Sequence, residues 1–222
     1  MKNNILVVSP HPDDETLGMG GTLLRKKFEG NNLAWLIITN VSEDYGWPKD
    51  FVNTRQKEIH NVANNYDFNK LYNLNHEPSK LDLVPKGKLV SEVSEVFKDF
   101  NPNEVYLPHP SDIHSDHSST FDAVISCTKW FRHPYVKKVF LYETLSETEA
   151  NINPSNPYML NTFVDIEPYL KKKIEIMNIY KSEVSAFPFP RSDDAIVSLA
   201  KYRGSSSGFN AAESFQMLIN RQ

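Results

Sequence analysis

The chain has 222 residues, 40% of them hydrophobic and 23% charged, with a formal net charge of −4, a composition that suits one globular domain able to bury a core. The negative balance argues against a general nucleic-acid binder, which needs a basic face. The single cysteine, Cys127, excludes an internal disulfide and a cysteine-based zinc site.

No run reaches the roughly 18 apolar residues of a membrane span. The apolar start "ILVV" is too short for a signal-peptide core and runs straight into charge. The expectation is a cytoplasmic protein with a small-molecule partner, no nucleic acid and no membrane span.

In chain order, "NNILVVS" (3–9) is a short β-branched run of the kind buried in a parallel sheet. Residues 16–30 have helical character and close on Gly30. "NLAWLIITN" (32–40) predicts a second strand, followed by the loop "VSEDYGWPKD" and a helix over 51–67. A weak third strand (70–74) and a helix (85–100) precede a fourth strand (103–109), a helix (116–131) and a fifth strand (136–144). The remainder predicts a short strand "NTFVDI", a helix over 168–183 and a polar C-terminal segment. Such alternation implies a single α/β domain over 1–222, with a doubly wound, mostly parallel sheet. Ligands in such sheets bind beyond the carboxyl ends of the strands.

Two motifs fall at those ends. The first, "HPDDE" (11–15), crowds three carboxylates and an imidazole after the first strand. Like charges so close cost stability, unless a divalent cation turns the crowding into attraction. Imidazole and carboxylate are what zinc accepts where cysteine is absent. His11 and Asp14 stand three apart across a turn and can face one ion, which leaves Asp13 beside it as a base. The plain alternative is a helix N-terminus complemented by acidic residues. Gly18, Gly20 and Gly21 lack the dinucleotide-binding spacing and are better explained by close helix–sheet packing.

The second motif, "PHPSDIHSDH" (108–117), holds three of the seven histidines at the end of the fourth strand. First and fourth strands are commonly neighbours where the strand order reverses. His117 is then the third ligand of a two-histidine, one-carboxylate site, His114 reaches the reaction centre, and Asp116 fixes an imidazole tautomer. The plain alternative is a polar loop capped by Asp112. Near the same rim, Arg55, Tyr142 and Glu143 are candidate substrate contacts, Tyr45 and Trp47 candidate stacking surfaces, and Lys201, Arg191 and Arg203 candidate anion contacts. The same ligand triad serves non-haem Fe(II) oxygenases, so a redox enzyme is one rival reading. A binding module with a vestigial site is another.

The paired motifs resemble the PIG-L (LmbE-like) family of metal-dependent N-deacetylases, whose signature is an H-P-D-D-E block and a later H-x-D-H block. "TRQKE" (54–58), "YKSEVSAF" (180–187) and "RGSSSGFNAAESF" (203–215) extend the likeness over nearly the whole chain. Glu183 departs from it, standing where glutamine is expected. The resemblance implies a Rossmann-like domain, with His11, Asp14 and His117 as metal ligands and Asp13 as general base. It makes His114 the group that stabilises the oxyanion and helps protonate the leaving amine, supported by Asp116. It also implies zinc, with Fe(II) the alternative, a homo-oligomer, and an N-acetylglucosamine conjugate as substrate. A metal-dependent amidase or esterase on another acyl group is the nearest alternative activity.

Overall fold

The computed structural model describes residues 2–151 and 155–222. Its seven strands are β1 (Asn4–Ser9), β2 (Asn32–Thr39), β3 (Lys70–His76), β4 (Glu104–Pro108), β5 (Lys138–Tyr142), β6 (Thr162–Asp165) and β7 (Ala212–Asn220). The helices are α1 (Asp14–Phe28), α2 (Lys49–Tyr66), α3 (Lys86–Phe100), α4 (Ser115–Ser126), α5 (Leu170–Met177) and α6 (Asp193–Ser205). One sheet runs in the order β3-β2-β1-β4-β5-β7-β6. The first five strands in sequence are parallel, and β7 runs antiparallel between β5 and β6.

Both faces of this sheet are covered, which is why β1 and β2 read as unbroken apolar runs. Ile5, Val7, Leu33, Trp35 and Ile37 face a core shared with α1, α2 and α5. Leu6, Val8, Ala34, Leu36 and Ile38 face a second core shared with α3 and α4. All ten are at most 1% exposed, and each contributes about 1.5–3 kcal/mol of transfer free energy where the side chain is large. β1 pairs with β2 on one side and β4 on the other, so strand order reverses there and the ends of β1 and β4 flank one crevice. No described helix is long and apolar enough to cross a membrane.

α1 is broken. Met19 has φ −150° and ψ 24°, outside the helical region. The amides at the start of the restarted helix, Gly21 N and Thr22 N, donate to the buried Glu213 carboxylate at 2.9 and 2.7 Å. Lys173 Nζ donates to the Leu17 carbonyl at 2.8 Å and pairs with Glu213 at 2.7 Å. Inserted side chains thus satisfy both ends of the break.

The C-terminal part departs from expectation. The segment expected to be polar forms α6, which Ser192 caps by accepting from Ala195 N, and β7, which buries Phe215 completely. The helix expected to reach 183 ends at Met177, and Tyr180 beyond it is fully buried in the core. α4 stops at Ser126 rather than 131, just ahead of Pro134 and a Trp130–Phe131 pair left exposed.

The α1 glycines do serve close packing. A Cβ on Gly18 would lie 2.3 Å from the Tyr142 ring, and one on Gly21 2.7 Å from Ile166. Gly18→Ala is expected to destabilise the fold by about 1–3 kcal/mol through overpacking, read as a lower denaturant midpoint at unchanged slope. An unaltered midpoint would contradict the packing.

Candidate metal centre

After β1 the chain turns through Pro10–Asp13. Asp13 has φ 138° and ψ −29°, a conformation costly for a residue with a Cβ. Glu15 holds it, because one carboxylate oxygen accepts from Asp13 N at 3.0 Å. The other accepts from the Thr16 and Tyr180 hydroxyls at 2.7 and 2.9 Å. Burial pushes the Glu15 carboxyl up to about 7 despite those donors. The last member of the first motif is therefore a clamp on the turn.

That turn delivers His11 and Asp14 to one side. Asp14 Oδ2 accepts from His11 N at 2.9 Å and lies 3.4 Å from His11 Nδ1 and 3.5 Å from His117 Nε2. The ligand atoms of His11, Asp14 and His117 all lie within 4.8 Å of one another. A carboxylate secures the far nitrogen of each ring. Asp112 Oδ2 is 2.8 Å from His117 Nδ1, and Asp116 Oδ2 is 3.0 Å from His11 Nε2. An ionised carboxylate only accepts, so those far nitrogens carry protons, and His11 Nδ1 and His117 Nε2, which face Asp14, would present lone pairs once a metal ion took the place of a second proton.

His117 Nε2 is buried with no hydrogen-bond partner, which is what a ligand atom looks like without its ion. Burial alone would lower the pKa of His11, but hydrogen bonds and charge from Asp116, Asp14 and Asp13 outweigh it and raise it to about 10. Asp14 is driven down to about 2, as His117 and His11 overcome the effect of burial. The pocket calls for positive charge. Two imidazoles and one carboxylate, each imidazole backed by an acid, fit a catalytic zinc or Fe(II) site.

His11, His114 and Asp116 form a second close grouping, but the Asp116 oxygens already accept from Ser79 N at 2.7 Å and Leu81 N at 3.2 Å. The Asp116 carboxylate therefore orients His11, and the residue meets His114 through its backbone amide. Its carboxylate is 4.0 Å from His114 Nδ1. His114 instead caps α4, with Nδ1 accepting from Asp116 N at 3.1 Å. That bond requires a neutral ring with its proton on Nε2. Burial and the neighbouring His11 lower the His114 pKa in the same sense.

A cleft of about 290 Å³ opens over these residues, lined also by Trp47, Phe51, Arg55, Glu147, Glu183 and Arg191. Arg55 bonds the Pro12 carbonyl at 3.1 Å, Ser182 Oγ at 2.8 Å, and Glu183. Arg191 reaches Asp13 Oδ2 at 3.0 Å. The Asp13 carboxyl is raised above its ordinary range by burial and by Asp14 and Glu183, against Arg191 and His11.

Two expected substrate contacts lie elsewhere. Tyr142 is fully buried, its hydroxyl donating to Val8 O at 2.8 Å, because its ring packs inward against α1. Glu143 is engaged by Arg203 and by Ser214 Oγ, so neither it nor Arg203 faces the cleft. A more open groove of about 790 Å³ between α2 and α5 contains no histidine. Neither Glu147 nor the pairing of Asp112 with His117 was read from the sequence, although Asp112 sits five residues before His117.

The ligand geometry has direct consequences. His117→Ala and His11→Ala are expected to abolish stoichiometric metal binding, measured by elemental analysis. Asp112→Asn is expected to weaken metal affinity by about 10–100-fold through the lost orienting acceptor. Chelation is expected to lower the thermal midpoint, since an ion at 100 times its Kd stabilises the fold by about 2.7 kcal/mol. Full metal occupancy in His117→Ala would contradict the assignment.

Known proteins share this fold and sequence family. The PIG-L family model, GlcNAc-PI de-N-acetylase, matches residues 6–128, more than half of the chain. A probable N-acetyl-alpha-D-glucosaminyl L-malate deacetylase 2 from Bacillus anthracis is 24% identical over 193 residues, covering 82% of this chain and 83% of the relative. The N,N'-diacetylchitobiose deacetylase of Pyrococcus horikoshii matches with TM-score 0.75 at 20% identity, over 98% of this chain and 84% of that one. GalB, the 4-carboxy-2-hydroxymuconate hydratase of Pseudomonas putida KT2440, matches with TM-score 0.74 at 16% identity, over 100% and 98%. Likeness of fold alone therefore does not name the reaction. The match to the family model does what fold likeness cannot: this chain belongs to the PIG-L family, hydrolases that cleave N-acetyl amide bonds.

Proposed function

We propose that the chain is a zinc-dependent N-deacetylase that hydrolyses the acetamide of an N-acetylglucosamine conjugate, with His11, Asp14 and His117 as its metal ligands. One observation carries the reading. Two imidazoles, each backed by a carboxylate, converge on Asp14, while a separate carboxylate, Asp13, faces the same cleft. The relatives support the substrate class, since their names describe deacetylases of an N-acetylglucosaminyl malate and of diacetylchitobiose.

An acetamide resists hydrolysis because its carbonyl is a weak electrophile and its amine a poor leaving group. When bound, a divalent ion supplies Lewis-acid polarisation of that carbonyl and acidifies a water from a pKa of about 16 towards about 7. Asp13 takes the proton of the attacking water, a role worth about 10²–10⁴-fold for a positioned base. Its Glu15-clamped turn and Arg191 hold the carboxylate in place.

His114 donates its Nε2 proton as a hydrogen bond to the carbonyl oxygen while charge develops there. It does so as a neutral ring, because its Nδ1 is committed to the Asp116 amide. Asp13 then returns its proton to the nitrogen, and acetate and amine separate. A non-enzymatic binding site would need neither Asp13 nor His114.

The test combines a panel of N-acetylglucosamine conjugates with metal analysis, measuring free amine with and without chelator. Zinc-loaded wild type is expected to release amine, and chelation to stop it. Asp13→Asn is expected to keep its metal and lose about 10²–10⁴-fold in kcat. A variant that kept near wild-type turnover would remove Asp13 from the chemistry.

A further inference from the structure

The part of the conjugate beyond the reacting ring must also be accommodated, and the charges of the cleft restrict what it can be. This inference rests on the deacetylase reading. Arg55 and Arg191 are the two lysine or arginine side chains among the described residues lining the cleft, and Asp13, Asp14, Glu147 and Glu183 are its acids. Both guanidiniums are already paired with acids, although the Nε of each has no hydrogen-bond partner. Arg55 bonds Glu183, Ser182 and the Pro12 carbonyl, with Glu58 Oε2 3.4 Å from its Nε. Arg191 bonds Asp13 at 3.0 Å and lies 3.3 Å from Glu183 Oε2.

Glu183 thus sits between the two cations and takes up both. An anionic group entering the cleft would have to displace a carboxylate tied to the protein, and would meet Glu147 besides. Like-charge contacts of this kind exclude ligands more effectively than weak contacts attract them.

The remaining wall is aromatic. Trp47 and Phe51 both line the cleft and stack on each other at 5.2 Å with 18° between their planes. Trp47 nevertheless stays 39% exposed. Tyr45, in the same loop, donates its hydroxyl to the Asn75 carbonyl at 2.8 Å, which ties the loop to β3. A flat apolar ring held at a polar rim suits the C–H face of a pyranose, whose hydroxyls point outward to water and to polar side chains.

We propose that the cleft selects a conjugate that is uncharged beyond its N-acetylated ring, a neutral saccharide resting on Trp47, and that Glu183 excludes anionic aglycones by occupying Arg55 and Arg191. Glu183 and Trp47 are then determinants of specificity.

The experiment compares three substrates on the zinc-loaded full chain: N-acetylglucosamine itself, a di-N-acetylated disaccharide, and the N-acetylglucosamine glycoside of a hydroxydicarboxylic acid. Wild type is expected to favour the disaccharide over the dicarboxylate by at least about tenfold in kcat/KM. Glu183→Gln, which keeps an acceptor for Arg55 but removes the charge, is expected to narrow that ratio about tenfold by improving the dicarboxylate. Trp47→Ala is expected to raise KM for the disaccharide while leaving the monosaccharide little changed. A wild type that prefers the dicarboxylate, or a ratio unmoved in Glu183→Gln, would overturn the inference. If no substrate loses its acetyl group, the deacetylase reading fails. The selectivity is then judged by the calorimetric Kd of the disaccharide and dicarboxylate, where tighter binding of the dicarboxylate overturns it.

Discussion

Asp13, Asp14, Glu15, Asp112 and Asp116 are all at most 6% exposed and lie around the ends of β1 and β4. Burying an ion costs several kcal/mol even after relaxation, and the mutual repulsion of carboxylates adds to it. Nothing apolar could hold such a group together. The protein offsets the cost in three ways: backbone and hydroxyl donors on Glu15 and Asp116, an arginine on Asp13, and imidazoles on Asp14, Asp112 and Asp116. The imbalance that remains centres on Asp14, where two ring nitrogens and a carboxylate face each other. A divalent cation bound there would resolve it.

The fold makes this crowding achievable. Five parallel strands send their carboxyl ends to one edge, and the reversal of strand order at β1 leaves room between its end and that of β4. α1 starts with Asp14 and Glu15 in its first turn, where the helix dipole favours negative charge. The left-handed backbone at Asp13 separates its side chain, the proposed base, from that of Asp14, the proposed ligand. Strain at one residue, clamped by Glu15, lets adjacent aspartates serve different purposes.

The parallel half of the sheet was legible because its strands are short, apolar on both faces and separated by amphipathic helices. The two motifs were legible because residue type and spacing alone suggest ligands. What escaped notice depended on distance in sequence. Arg191 lies 178 residues from Asp13, and nothing local marks it as that residue's partner. The Asp116 backbone amide meets His114 as its place in the chain suggests, but the strand arrangement brings its carboxylate to His11, 105 residues away. Tyr142 ends a strand near the site, yet the missing Cβ of Gly18 makes the inward position open to its ring. β7 reads as polar because its second half faces solvent, and only pairing with β5 and β6 reveals it as a strand.

The central claim is that one ion is held jointly by the ends of two strands far apart in the chain. Anomalous diffraction at the zinc edge from crystals of the zinc-loaded protein tests it without reference to turnover. The account requires a single strong peak at about 2.0–2.2 Å from His11 Nδ1, an Asp14 oxygen and His117 Nε2. A peak seated on His114 and Asp116 instead, or no peak between the β1 and β4 ends at full zinc loading, would contradict it.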